Sequence, residues 1–527
     1  MVAHRAPVAS DGMRADRPVG KAAVAPPRPS RVEPVTPDRL AATIGADLLP
    51  GGGGARAVTG ATVCTQHVRP GDLFAALPGT RAHGADFCAD AVAAGAAAIL
   101  TDRAGAGRPA VRASGLAVLV HDQPRAVLGR LAATIYGDPS TKLTVLGVTG
   151  TAGKTTTTYL LRAGLAAAGH QTGLIGTVET VLAGRRLDSA LTTPEAPDLQ
   201  ALFAVMAEQG VTHVPMEVSS HALAQGRVAG TRYTVGAFTN LSHDHLDFHA
   251  DMEDYFAAKA KLFDGRSAIE VVCTDTPWGQ RLVRPGTVTV STTGAAATWT
   301  AAQVETSPAG GQTFTAIGPY GNRFDVRIGL PGSFNVANAL LAVAVLDVIG
   351  VPRADITRGL AEARVPGRME PVALGQEFVA VIDYSHKPVA VTLALDAVRA
   401  RAAGRVLLVL GCGGDRDRAK RPLMGAAAAR GADLTIVTDD NPRGEDPAAI
   451  RAQMLAGALD VPAASRGEVI EIADRRSAIR YAVARARPGD VVVVAGKGHE
   501  TGQEIAGVVH PFSDRDELTA AITEVLR

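Results

Sequence analysis

Three stretches near the C-terminus, "RVLLVLG", "DLTIVTD" and "DVVVVAG", run apolar and β-branched without the polar alternation of a half-exposed strand. A strand that is apolar on both sides has to be covered on both faces, which is the situation of a parallel sheet held between helices. Helical stretches separate the three runs, leaving room for parallel crossovers. The end of the chain therefore reads as an α/β unit. At 527 residues the chain exceeds what one core serves, and a prior of ~100–200 residues per domain gives about three units.

Composition shifts place the boundaries. Residues 1–37 are rich in Pro, Ala and Arg ("VAPPRPSRVEPVTP") and hold no sustained apolar period, so they read as a disordered tail. A first unit, 38–140, opens at "TPDRLAATIGADL", where Thr36 or Asp38 is placed to cap a helix, and mixes short strands ("AVLV", "AAAIL") with Ala-rich helices. "YGDPSTK" reads as a linker into a second unit, 141–363, whose strands and helices alternate from "LTVLGV" onward. "VPGRMEPV" marks the junction to a third, 364–527. No repeat period is evident.

The formal net charge of +1 gives no global electrostatic case for nucleic acid or an anionic membrane. No apolar run reaches the ~18–20 residues of a membrane span, and the N-terminus has no apolar core of a signal peptide. The four cysteines, Cys64, Cys88, Cys273 and Cys412, are scattered, without a CxxC pair or zinc spacing. Free thiols in a reducing compartment fit that pattern better than a disulfide frame. The expectation is a soluble cytoplasmic protein.

"TVLGVTGTAGKTTT" carries the strongest local signal. A strand, then Gly150, Thr151, Ala152, Gly153, Lys154 and Thr155, then a helix, is the layout that turns backbone N–H groups toward phosphates. Lys154 would bring charge to the terminal phosphates and Thr155 a hydroxyl to Mg²⁺. Val148 stands where the strict phosphate-loop pattern has its first glycine. Further on, "HVPMEVSSHAL" puts Glu217 at a strand end, within reach of a loop-bound metal. "FTNLSHDHLDFH" gathers His243, Asp244, His245, Asp247 and His249 after another strand, and "YFAAKAKLF" puts Lys259 on a helix. A zinc site usually fixes its ligands at set spacings, whereas a hard Mg²⁺ beside phosphates needs only one or two protein ligands. In "TIVTDDNPRGEDP", Arg443 directly follows Pro442, which fixes the backbone ahead of a guanidinium.

In this order, "TGTAGKTT", "TTPE", "MEVSSHAL", "TNLSHDHLD", "AAKAKLF", "LPGSFNVANAL", "PGRMEPV", "IDYSHKP", "GCGGDRDRAKRPLM", "DDNPR" and "GKGHE" resemble the Mur ligase family, ATP-dependent amide-forming enzymes of peptidoglycan precursor synthesis. The resemblance covers nearly everything after the tail. It implies an α/β architecture of three domains: a small N-terminal UDP-binding domain, a central P-loop ATPase-like parallel-sheet domain and a C-terminal Rossmann-like domain that takes the amino acid. The motifs look most like those of the members that add the third peptide residue to UDP-N-acetylmuramoyl-L-alanyl-D-glutamate. L-lysine-adding relatives and the folylpolyglutamate synthetases are the neighbouring alternatives.

Carried onto this sequence, the resemblance makes Gly150 to Thr156 the ATP loop, with Asn335, Arg368 and Asp383 toward the adenosine or phosphate end. Thr155 and Glu217 would hold one Mg²⁺, and His245 a second with Lys259 as a carbamate; Lys154, Glu217, His245 and Lys259 form the catalytic set. Val63, Thr65, Thr80, Arg81, Ala82, Thr192, Thr193, Ser219, Gln225 and Arg227 would hold the UDP-sugar peptide. Arg416, Asp440, Asn441, Pro442, Arg443, Gly496 and Glu500 would surround meso-diaminopimelate, with Asp440 and Glu500 receiving its ammonium groups. An arginine fork rewards the second carboxylate that separates diaminopimelate from lysine. Three departures stand out: Cys64-Thr65-Gln66 where relatives often have a "DSR"-like triplet, Ala152 for an asparagine and His243 for an arginine. The implied partners are the three small molecules, with a monomeric protein.

Overall fold

The computed structural model describes residues 26–52, 56–187, 191–307, 310–400 and 402–527. Three separate sheets of five, eleven and six strands carry the fold, and a two-stranded hairpin stands beside the last. In the first sheet, Gly60–Thr62, Asp72–Ala75, Ala98–Thr101 and Ala117–Val120 are parallel, and Asp47–Leu49 closes one edge antiparallel. The opening helix Pro37–Ile44 is capped by Thr36, whose hydroxyl accepts from the Arg39 N–H at 3.4 Å, and Asp38 falls in its first turn.

Residues 26–36 depart from the expected tail. The Arg28 guanidinium packs against the Tyr136 hydroxyl and lies 3.6 Å from Asp72, the Ser30 and Arg31 N–H groups donate to Glu208, and buried Val35 bridges to Val58. A paired cation and a few apolar anchors secure this segment despite its composition. The first 25 residues of the expected tail lie outside the described residues.

In the eleven-stranded sheet, Thr144–Thr149 lies between His213–Glu217 and Tyr233–Phe238, parallel to both. Leu146 and Val148 turn to helices Lys154–Ala167 and Ser333–Val348, while Val145 turns to helix Ala196–Glu208. Both faces are thus covered, as its apolar run requires. The expected parallel sheet holds for the centre only. Hairpins such as Gln312–Ile317 with Arg323–Ile328 extend it antiparallel, where tight turns replace crossovers.

The third sheet runs Val379–Asp383, Val491–Ala495, Val406–Leu410, Leu434–Val437, Glu468–Glu471, all parallel, with Glu370–Pro371 antiparallel at the edge. Val406, Leu408 and Leu410 face helices Pro388–Arg399, Lys420–Gly431 and Pro447–Asp460, whereas Leu407 and Val409 face Arg475–Arg485 and Asp514–Val525. The uninterrupted β-branched runs are therefore buried on both sides, in a doubly wound unit.

The first and middle units meet where Gly129 of helix Pro124–Ile135 crosses Ala229; a Cβ at Gly129 would overlap the Ala229 carbonyl. Arg125 of that helix pairs with Glu195 at 3.2 Å, and Glu195 with Arg227 at 3.0 Å. Among the described residues no helix is long and apolar enough to cross a membrane.

Candidate active site

The loop between Thr149 and helix Lys154–Ala167 owes its shape to two glycines. Gly150 (φ 146°) and Gly153 (φ 86°) occupy backbone that favours glycine, and a Cβ on either would overlap Thr239 or Asn338. The neighbouring strand end clamps the loop. Thr151 N–H donates to the Asn240 carbonyl (2.9 Å), Ala152 N–H to Asn240 Oδ1 (3.1 Å), and Thr239 Oγ1 to the Ala152 carbonyl (2.6 Å). The helix then opens on Thr155 to Thr158, four residues of poor helix propensity. All four are buried; Thr158 donates to the Thr155 carbonyl at 2.9 Å, and packing against the sheet overrides propensity.

Cations converge on this loop from three directions. Lys154 Nζ folds back on the Gly150 and Thr151 carbonyls at 2.9 and 3.0 Å. Lys259, fully buried, donates to the same Gly150 carbonyl at 2.8 Å and lies 4.6 Å from the centre of the Tyr255 ring. Arg368, from the third unit, stacks on Tyr384 and donates to Thr155 Oγ1 at 3.3 Å. Lys387, also from the third unit, forms an ion pair with Asp244. The loss of water around Lys154 brings its pKa down to about 8, with Lys387 and Arg368 pushing the same way against Glu217 and Asp244. Burial, with Lys154 adjacent, drives Lys259 well below an ordinary lysine. Cations gathered in this way suit a polyanion.

The acids sit at its floor. Glu217 Oε1 accepts from Thr155 Oγ1 at 3.0 Å and from Thr177 N–H at 2.8 Å, bringing two hard oxygens together at the strand ends. His245 (φ 54°) rests its Nε2 3.0 Å from Asp244 Oδ2. Burial pushes His245 down to about 3, so it is neutral. Burial opposes the charge on Asp244, yet the Lys387 ammonium outweighs it and holds that carboxylate at about 2. Among the described residues no three His, Cys, Asp or Glu side chains gather into a metal cage. The Thr155–Glu217 oxygens suit a hard cation that keeps most of its own waters. A neutral buried Lys259 is the form of lysine that takes up CO₂.

Asn335 is one hydrogen bond from the loop: its Nδ2 donates to the Pro331 carbonyl (2.7 Å) and its Oδ1 accepts from Asn338, which abuts Gly153. Asp383 commits its carboxylate to the Met369 and Ser385 N–H groups, both at 2.8 Å, bracing the chain where Arg368 enters the site. Thr192, Thr193, Ser219 and Arg227 cluster beside Glu217. Thr193 Oγ1 donates to the Glu217 carbonyl (2.8 Å) and accepts from Ser219 N–H (3.1 Å), and Arg227 donates to the Thr193 carbonyl (3.3 Å). Gln225 ends the short helix Ser220–Ala224. Val63 and Thr65 follow strand Gly60–Thr62 and are half-buried, and Thr80, Arg81 and Ala82 form an exposed turn beyond Asp72–Ala75.

The third unit assembles the last group on the ends of three adjacent strands, Val406–Leu410, Leu434–Val437 and Val491–Ala495. Asn441 Nδ2 donates to Glu500 Oε2 at 2.7 Å, and Lys497, fully buried, donates to Asn441 Oδ1 and Glu500 Oε2 at 3.0 and 3.1 Å. Gly496 (φ 111°) lets the chain pass Asp440, whose Oδ2 would be 2.6 Å from an added Cβ. Arg443 takes φ 54°, donates through Nη1 to the Gly414 carbonyl at 2.8 Å and has Nε 3.5 Å from Glu504. Arg416 is exposed on the facing loop. Pro442 is buried, yet proline alone does not give Arg443 its left-handed backbone.

Sequence reasoning passed over Lys387, Tyr384, Lys497, Thr177 and Glu195. Lys387 and Tyr384 lie inside "IDYSHKP" and Lys497 inside "GKGHE", so each motif held more of the site than the residue taken from it.

A phosphate-type loop on one unit, met by Arg368 and Lys387 from another that also carries the polar Asn441–Lys497–Glu500 cluster, has the marks of a nucleotide-dependent enzyme. Three family models match the chain: Mur ligase family, catalytic domain, over 57–136; Mur ligase middle domain over 148–346; and Mur ligase, glutamate ligase domain, over 367–498. A UDP-N-acetylmuramoyl-L-alanyl-D-glutamate--2,6-diaminopimelate ligase of Streptomyces coelicolor is 53% identical over 94% of this chain and 98% of its own length. One of Corynebacterium glutamicum is 53% identical over 86% of this chain and 89% of its own. A solved structure of a ligase with the same name superposes with a TM-score of 0.64 at 32% identity, covering 89% of this chain and 96% of that one. The chain belongs to the Mur ligase family.

Proposed function

We propose that this protein is the ATP-dependent ligase that adds meso-diaminopimelate to UDP-N-acetylmuramoyl-L-alanyl-D-glutamate in the cytoplasm, as a monomer. One observation carries the reading. Arg443 donates to the Gly414 carbonyl of the loop that carries exposed Arg416, and Asp440, Asn441 and Glu500 gather at the same strand ends. That is a place for a ligand with two ammonium groups and a distal carboxylate. Relatives named for this reaction, at 53% identity, support it.

A carboxylate does not acylate an amine directly, because oxide is a poor leaving group. In the first step a D-Glu carboxylate oxygen attacks the γ-phosphorus of ATP. The bond to ADP breaks and an acyl phosphate forms. The diaminopimelate amine then attacks the acyl carbon, and inorganic phosphate leaves with the bonding pair as the amine loses its proton. Lys154, Arg368 and Lys387 offset the repulsion between carboxylate and triphosphate and hold them in line. Thr155 and Glu217 would hold one Mg²⁺, and His245 with a carbamylated Lys259 a second; the ions would shield phosphate charge. Thr192, Thr193, Ser219 and Arg227 lie beside Glu217, where the incoming peptide carboxylate would be presented. The uridine end would reach the loops around Thr65 and Arg81.

The deciding assay is ADP release with UDP-N-acetylmuramoyl-L-alanyl-D-glutamate plus either meso-diaminopimelate or L-lysine. Turnover dependent on diaminopimelate is expected; turnover with lysine alone would assign the lysine-adding activity instead.

A further inference from the structure

The loop after Val406–Leu410 and the loop after Leu434–Val437 are locked together by a network outside the pocket. Arg421 is fully buried and grips the Glu445 carboxylate with both terminal nitrogens, Nη2 to Oε1 at 2.8 Å and Nη1 to Oε2 at 3.1 Å. Its remaining reach goes to Gln453 Oε1 (3.0 Å) and the Gly413 carbonyl (3.3 Å). Glu445 Oε1 also accepts the Asp415 N–H at 2.6 Å, and Arg418 lies 3.0 Å from Oε2. In return, Asp415 Oδ2 accepts the Gly444 N–H at 2.9 Å, and Gly414 N–H donates to the Asn441 carbonyl at 2.9 Å. A side chain at Gly414 would overlap the Pro442 carbonyl, so the loops touch backbone to backbone.

Two details give this lock a purpose. Asp415 (φ 51°) and Arg443 (φ 54°) are both non-glycine residues in the left-handed region, which persists only where the surroundings impose it. Each is also chain neighbour to a part of the pocket or lock: Asp415 precedes Arg416, and Arg443 precedes Gly444. Relaxing either backbone would move Arg416 or Arg443 relative to the other loop.

Building on the function proposed above, we infer that the Arg421–Glu445 pair, with Asp415, is the positioning element that sets selectivity for a distal carboxylate on the amino-acid substrate. It touches no substrate. It holds two loops, each with one left-handed non-glycine residue, so that Arg416 and Arg443 keep fixed positions relative to one another.

The test uses the full chain and steady-state ADP release, with folding checked by thermal melting. In Glu445→Gln, KM for diaminopimelate is expected to rise at least tenfold while KM for ATP and for the UDP-peptide stays within about twofold. The kcat/KM preference for diaminopimelate over L-lysine should fall about as far. Asp415→Ala should shift the same quantities, and Asp415→Asn, which keeps an acceptor oxygen and tolerates left-handed backbone, should restore them. An unchanged preference in the folded variants, or an equal rise in all three KM values, overturns the inference. If Glu445→Gln does not fold, the two Asp415 variants decide. A wild type that does not prefer diaminopimelate overturns the proposed function itself, a result visible before any variant is made.

Discussion

At the scale of single residues, protonation is where the site departs most from aqueous chemistry. Lys259 is buried among cations and held well below an ordinary lysine, so its free form is an amine ready for carbamylation. Lys259→Ala should lose on the order of 10²–10³-fold in kcat, the cost of removing one preorganised group, and acetate or formate should recover part of the ADP release. Lys154 donates to two loop carbonyls. Its replacement by alanine should lower kcat by a similar ~10²–10³-fold and change KM for the UDP-peptide far less, since its charge is needed most as phosphate charge moves. Glu445 offers a pH signature. Its bond to Arg421, then that to the Asp415 N–H, hold it at about 2. A depressed carboxylate stabilises the fold above its unfolded pKa and loses that stability on acidification. Thermal stability should therefore fall between roughly pH 4.5 and 2, and Glu445→Gln should flatten that part of the profile, read by melting at each pH.

Elements show what a sequence can and cannot display. The apolar runs revealed a doubly wound sheet because burial on both faces leaves a one-dimensional trace, and the phosphate loop was legible because its glycines, lysine and threonine are contiguous. A Gly153→Ala change tests that loop. The Cβ meets Asn338 and the left-handed backbone costs ~1–3 kcal/mol, so ATP affinity should drop about tenfold to a hundredfold by calorimetry. What pairs across the fold left no such trace. Lys387 and Asp244 are 143 positions apart. The left-handed backbone at Asp415 and Arg443 follows from a lock among three segments, not from either residue's own preference. The antiparallel edges escaped notice because edge hairpins and central strands share one alphabet of β-branched residues. The segment around Arg28 was misjudged from composition, since one paired arginine and a few apolar anchors outweigh many prolines.

Across the whole molecule, the ties between the middle and third units include Arg368 to Thr155 and Lys387 to Asp244. Arg368 reaches the phosphate loop itself and Lys387 the Asp244 carboxylate beside it, so the contact between the two units also brings in positive charge. Lys387→Ala should lower kcat roughly tenfold, in line with ~1.5 kcal/mol for a charge-assisted hydrogen bond, and should give a larger radius of gyration by small-angle scattering with nucleotide bound. The order of strands in the third sheet has a different consequence, one for how the protein is made. Val491–Ala495 is the last of its parallel strands to leave the ribosome, yet it lies in the interior, between Val379–Asp383 and Val406–Leu410. Until it emerges, those two strands have a gap between them and their apolar edges stay open. The phosphate-loop unit completes its sheet more than 150 residues earlier, at Arg323–Ile328. The nascent chain thus carries a completed phosphate-loop sheet well before its third sheet can close, and in that interval its third unit is the part most in need of a chaperone.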